Sequence, residues 1–273
     1  MRAQNPLTLK TVAVITAYFL VLFYFFSTVF TNYFLFYPSL PKIHDHYEEY
    51  LAVFNTGTRI LMTHSSVALI FTSVLLLWFR PTSFPQSAIW ISIVLASLSS
   101  ISTLFFIMPL QLSLWISGYN EALFQKLMSI SKYFQIIPTF LQILIGFWLL
   151  NRYLSNIKFV SRWIFILFIT LTFFNTNYDS TVAFQLYTTV GSSDWIVFRN
   201  AILPPLFFVV LILAFMPMLL TIPMFWLRPK SIPWYFVGIY GLTILWIFFI
   251  SAIYIATKLQ GYVVDPQKVV FNF

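Results

Sequence analysis

The stretch "VITAYFLVLFYFFSTVF", residues 14–30, decides the class of fold. It lies in an interval from Lys10 to Lys42 that holds no ionised residue. A helix needs about 20 mostly apolar residues to cross the hydrocarbon of a bilayer. Comparable intervals separate Arg59 from Arg80, Arg80 from Glu121, Lys132 from Arg152, Arg162 from Asp179, Arg199 from Arg228, and Lys230 from Lys258. Seven spanning helices are predicted, at about 11–31, 60–79, 87–110, 132–150, 160–176, 200–226 and 234–257. The chain is 60% hydrophobic and 8% charged, whereas a soluble domain carries roughly 25% charged residues.

The basic start "MRAQNPLTLK" leads into an apolar run too long for a cleavable leader, and reads as a retained first helix. With no cysteine, the sequence has no disulfide, no thiolate catalysis and no Cys-ligated metal. The net charge of +8 reports membrane topology here rather than a nucleic-acid partner. The partner that composition implies is the lipid bilayer.

Seven spans sort the polar segments onto two sides. One side holds Arg2, Lys10, Arg80, Arg152, Lys158, Arg162, Arg228 and Lys230 with no carboxylate. The other holds all seven acids, Asp45, Glu48, Glu49, Glu121, Asp179, Asp194 and Asp265. Basic short turns mark the first side as cytoplasmic. The expectation is a cell (inner) membrane protein with its N-terminus cytoplasmic and its C-terminus outside.

The spans also repeat. "WFRPTSFP" at 78–85 and "WLRPKSIP" at 226–233 share five of eight positions, 148 residues apart. The same offset relates "FFST" at 25–28 to "FFNT" at 173–176. The predicted fold is all-α: a polytopic membrane protein with seven transmembrane helices in a parallel 3+1+3 internal repeat. Residues 1–131 form the first three-helix repeat with an outer loop and an amphipathic segment. Residues 132–158 form a linking fourth helix, and 159–273 the second repeat with an outer C-terminal tail. In each Arg-Pro turn the arginine can reach the headgroups, while Ser and Pro suit the first turn of the next helix.

"YPSL" (37–40), "LLLWFRPTSFPQSAIW" (75–90) and "STLFFIMPLQLSLWISGYNEALFQKLMSI" (102–130) resemble a family of small four-helix bacterial membrane proteins of unknown function. That family is distantly similar to anthrone-oxygenase-like membrane proteins. The resemblance covers about 20–150, with a weaker echo over 165–263, so the chain looks like a tandem version. Lys132, Tyr133 and Gln135 stand where the family usually has a Trp and an Arg, and Gln111 where it has a His. The resemblance implies a cofactor-free, oxygenase-like membrane enzyme on an aromatic or quinone-like substrate as one alternative function.

Four polar groupings carry the candidate chemistry. In "KIHDHYEEY" (42–50), Asp45 followed by Glu48 reads as a helix-capping pair. His44, His46, Glu48 and Glu49 form a weaker alternative as a metal site, because His-x-His sets the rings poorly for one helix face. His64 is the only histidine inside a charge-free interval, and an ionisable group at membrane depth faces a bundle interior or a wet cavity. A neutral histidine bonded to a neighbouring helix competes with a binding or proton-transfer role. Gln135 and Gln142 share a face of the fourth helix, being seven residues apart. With Arg59, Gln111 and Arg199 they either glue helices together or line a cavity open to the outside.

No phosphate loop, zinc-protease helix or Ser-His-Asp set is present, and no cofactor is expected. The leading expectation is binding or transport of an apolar small molecule or lipid in an outward-facing cavity between the repeats. His64, Arg59, Gln111, Gln135, Gln142 and Arg199 would line it. The third alternative is an accessory subunit with membrane-protein partners.

Overall fold

The computed structural model describes residues 9–43, 47–155, 157–167, 194, 197, 216–228 and 233–248. Every regular element among them is helical. Helix α1 (Leu9–Thr31) continues through a π-type turn (Asn32–Phe36) into a 3-10 segment (Tyr37–Lys42). Helix α2 is Tyr47–Phe79. Helix α3 (Gln86–Ser102) passes through a π-type turn (Thr103–Ile107) into α4 (Met108–Ser117). Helix α5 (Glu121–Ser131) passes through another (Lys132–Ile136) into α6 (Ile137–Tyr153). A helix at 159–167 is α7, Met216–Leu227 is α8 and Trp234–Phe248 is α9.

Among the described residues, four segments are long and apolar enough to cross a membrane: Leu9–Phe34, Met62–Phe79, Gln86–Ser117 and Glu121–Tyr153. They overlap the first four predicted spans, and the third and fourth are longer than expected, ending at Ser117 and beginning at Glu121. The predicted spans at 160–176, 200–226 and 234–257 fall partly outside the described residues, which hold only α7, α8 and α9 of them. The expected boundary at 131/132 falls inside one continuous helical rod, at its π-type turn.

Helix α1 packs on α2 and α6, and α3 packs on the same two. The result is an up-down-up-down square in which α1 lies diagonal to α3, and α2 to α6. Lys10, Arg80 and Arg152 stand at one end of the square, the turn end. Lys42, Glu48, Glu49 and Glu121 stand at the other, the cap end. One core fills the body of the square, with Tyr18, Leu22, Phe23, Leu69, Ile89 and Ile143 among its members. A second core fills the cap, built from Phe36, Tyr37, Ile43, Leu114, Phe124 and Leu127 with their neighbours.

The three π-type turns share a cause that the sequence carries in plain view. Each precedes a proline: "NYFLFYP" (32–38), "TLFFIMP" (103–109) and "KYFQIIP" (132–138). Proline cannot donate to the carbonyl four residues back, and its ring clashes with that carbonyl. A turn widened by one residue relieves the conflict. Thus the N–H groups of Tyr37, Met108 and Ile137 reach back five residues, to Asn32, Thr103 and Lys132. The carbonyl of Phe134, four before Pro138, accepts instead from Ser102 Oγ at 2.9 Å. Neighbouring hydroxyls are the usual rescue for backbone freed by proline in a membrane helix.

At the turn end, Arg80 Nη1 donates to the Phe84 carbonyl at 2.7 Å and closes the Arg-Pro turn. Phe84 is thereby seated against Phe19 and Tyr153. Helix α6 can lie close on α1 because residue 146 is glycine: a Cβ there would overlap Leu22 Cδ2. At the cap end, Asn120 Oδ1 accepts from the Leu123 N–H at 3.1 Å and starts α5. Helix α7 contributes Ile166 to the body core, while its Ile164 and Phe165 pack on Met224 and Val237 of the α8–α9 hairpin.

Candidate functional site

The three candidate glutamines all point into the first four rods, and all three are buried. A buried amide must find partners for its donors and its acceptor. Gln135 finds them completely. Its Oε1 accepts from Ser131 Oγ at 2.9 Å, and its Nε2 donates to Thr103 Oγ1 at 2.9 Å. The sulfur of Met62 on α2 lies 4.0 Å from the same nitrogen. One amide thus ties α2, the α3–α4 joint and the α5–α6 joint at the level of the π-type turns.

Gln111 serves the cap. Its Nε2 donates to the Tyr37 hydroxyl at 2.8 Å, and Tyr37 also bonds Ser131. Burial pushes the Tyr37 phenol far above its ordinary range, while the bonds to Gln111 and Ser131 pull less strongly the other way. It is therefore a neutral hydroxyl at any physiological pH.

Gln142 sits lower in the square. Its Nε2 donates to Ser92 Oγ at 3.2 Å and to the Ser92 carbonyl at 3.3 Å. Ser92 Oγ in turn pairs with the Tyr18 hydroxyl at 2.8 Å, across the diagonal of the square. Between these two levels, Ser99 Oγ pairs with Thr139 Oγ1 at 3.2 Å. The buried polar groups form a seam along the α3–α6 contact, running from Ser92 to Gln111. A seam of small hydroxyls and amides is how membrane helices fix their packing, since lipid is as apolar as leucine.

His64 does not join this seam. It is exposed on α2, in a stripe with Val67, Phe71 and Trp78. The reason is helical phase. Met62 faces Gln135, and two further residues turn the helix through about 200°. Thus Met62, not His64, meets the glutamine layer. The Arg59 side chain and Arg199 lie outside what is described, as do His44, Asp45 and His46. Glu48 and Glu49 are exposed at the start of α2. Among the described residues no three His, Asp or Glu side chains gather in a way that could hold a metal.

Sequence reasoning did not single out the partners Tyr18, Tyr37, Ser92, Ser102, Thr103 and Ser131. A signal for some of them existed: Ser92, Ser99 and Thr103 recur at seven and four residues, one face of a helix. No protein-family model matches the chain, and neither a curated protein nor a solved structure is found to be similar to it.

Proposed function

We propose that this chain is a multi-pass membrane protein that binds or carries an apolar small molecule or lipid along the α2 face bearing His64. On this reading the turn end is cytoplasmic and the cap end is outside. Seven spans in a parallel 3+1+3 repeat place the second half of the chain beside the first four rods. The single observation that carries the reading is the position of His64. An ionisable side chain within a membrane span is costly against lipid, and such groups border protein or a wet cavity. The polar seam makes its bonds inside the square, with Gln142 Oε1 left over, and His64 lies on the opposite, exposed face of α2. The His64 face is therefore a boundary with the second half or with a ligand.

Supporting the repeat, the α8–α9 hairpin distributes burial much as the α2–α3 hairpin does. Ser73 and Thr221, Leu76 and Met224, and Ile89 and Val237 are buried at the shared 148 offset. Trp78 and Trp226, Ile91 and Ile239, and Val94 and Leu242 are exposed. Supporting the topology, Lys10, Arg80 and Arg152 gather at the turn end and the described glutamates at the cap end.

The chain has no cysteine, so single cysteines report cleanly. Val67→Cys and Phe71→Cys in proteoliposomes, photo-crosslinked through the thiol, should capture a co-purifying lipid or small molecule identifiable by mass spectrometry. Crosslinks only to bulk phospholipid, with unchanged reaction in His64→Phe, would defeat the reading. Crosslinks to another protein would assign the face to a partner subunit instead.

A further inference from the structure

Several buried oxygens in the body of the square have no hydrogen-bond partner, Ser27 Oγ and Ser100 Oγ among them, and two of the set fall at one level. Gln142 Oε1 and Ser73 Oγ are both fully buried and neither has a hydrogen-bond partner. Ser73 lies six residues before the end of α2, and Ser92 six residues after the start of α3. At 1.5 Å per residue both stand about 9 Å above the turn end. Gln142 and Tyr18 are bonded to Ser92 and so share that depth. One polar side chain from each of α1, α2, α3 and α6 therefore meets the bundle axis at a single level.

The amide orientation is fixed by its neighbours. Gln142 Nε2 faces the Ser92 carbonyl, so reversing the amide would set two acceptors against each other. The orphan is thus a carbonyl oxygen, which can only accept. Tyr18 and Ser92 share one bond between two hydroxyls, which leaves one of their protons free to be donated. A buried acceptor left alone costs on the order of 1–3 kcal/mol. Native interiors resolve such a set by enclosing water, which commonly makes about three bonds.

We propose that this level is a binding site for one internal water molecule. Its occupant donates to Gln142 Oε1, exchanges a second bond with Ser73 Oγ, and accepts the spare hydroxyl proton of the Tyr18–Ser92 pair. The ligand is small and neutral: among the described residues no Asp, Glu, Lys or Arg side chain is bonded to the groups at this level, and the helices that carry them pack directly on their neighbours. The water links α2 to α6 at this level, as Tyr18 links α1 to α3.

The variant that tests this is Ser73→Ala in the full chain, reconstituted in lipid, because Ser73 Oγ has no bond within the protein to lose. If a water bridges to it, the substitution raises the unfolded-to-folded ratio about fivefold, the worth of one ordinary hydrogen bond. A neutral or stabilising outcome overturns the proposal, since removing an unanswered hydroxyl from a dry site is costless. A high-resolution cryo-EM map supplies the second measurement. Density within hydrogen-bond distance of Gln142 Oε1 is expected in the wild type, and its absence overturns the assignment. A third measurement compares stability in sodium and in choline. Equal stability supports water. Stabilisation by sodium that Ser73→Ala abolishes would reassign the oxygens to a cation.

Discussion

The two Arg-Pro hairpins put nearly the same motif to different uses. In α2–α3, Arg80 reaches forward to the Phe84 carbonyl; in α8–α9, Arg228 has the Phe225 carbonyl behind it among its partners. The first hairpin is held to its neighbours by hydroxyls and amides, with Ser92 and Ser99 bonded to Gln142 and Thr139. The second approaches its own partner through glycine. At Gly241 a Cβ would come within 2.6 Å of Thr221 Cγ2. The position matching Gly241 in the first hairpin is Ile93, and that matching Ser92 is Tyr240. Similar burial patterns are thus served by polar bonding in one hairpin and by close backbone contact in the other.

Exchanging the two solutions should be the most damaging test. Gly241→Ile drives a branched side chain into Thr221 and should cost about 3 kcal/mol, the upper end for overpacking. Denaturant unfolding of the purified protein in detergent checks it. A loss well under 1 kcal/mol would show that the second hairpin has slack the first lacks.

Gln135→Leu tests the polar solution directly. It keeps side-chain bulk while removing two good hydrogen bonds, one to Thr103 and one from Ser131. The bond to Thr103 crosses between helices, where such bonds are worth about 0.6–2 kcal/mol, and the bond from Ser131 lies within its own rod, so a loss of about 1–3 kcal/mol is expected. The companion change Gly146→Ala places a methyl against Leu22 Cδ2, the far end of a flexible side chain. It should cost about 1 kcal/mol as Leu22 shifts its rotamer. If Gly146→Ala costs more than Gln135→Leu, close approach rather than hydrogen bonding sets the stability of the first bundle as well.

These expectations mark how far the sequence could be read. Charge-free intervals between Lys10 and Lys42 or Lys132 and Arg152 announce helices because hydropathy is local and additive along the chain. The prolines at 38, 109 and 138 were equally visible, but a widened turn is one of several ways to absorb a proline, and the choice depends on what lies alongside. Ser102 offers its hydroxyl to the Phe134 carbonyl, 32 residues away, and nothing local forecasts that. Gln111, Gln135 and Gln142 were legible as polar groups needing company. Which company they keep depends on the relative rotation of whole helices. The same limit explains His64: its depth follows from sequence position, but its facing depends on how α2 rotates against α3 and α6.

Arginine at the two turns gives a smaller contrast. Arg80→Lys loses the planar donor that spans the turn to Phe84 O and should cost about 1 kcal/mol. Arg228→Lys removes a guanidinium that is bonded to the Phe225 carbonyl among other partners, so its loss is measured beside that of Arg80→Lys by denaturant unfolding. An unchanged midpoint in both would mean that the arginines act through the headgroups rather than through these carbonyls.

The smallest effect is expected in the cap, where Tyr47 is buried with a hydroxyl that has no partner. Removing an unanswered hydroxyl restores nothing to water and breaks nothing inside, so Tyr47→Phe should be neutral or should stabilise by up to about 1 kcal/mol at pH 7. Its alkaline behaviour fixes the sign further. Burial pushes the Tyr47 phenol up to about 12 from an ordinary value near 10. The folded state thus holds its proton while the unfolded chain begins to release it. Whatever Tyr47 contributes through its neutral form is present below pH 10 and is lost as pH rises from 10 towards 12. Wild-type stability should therefore fall across that window, and Tyr47→Phe should make the fall shallower. Tyr37 and Tyr119, whose phenols are raised in the same direction, keep part of the slope. A mutant whose stability falls as steeply as the wild type between pH 10 and 12 would show that the Tyr47 hydroxyl reaches water.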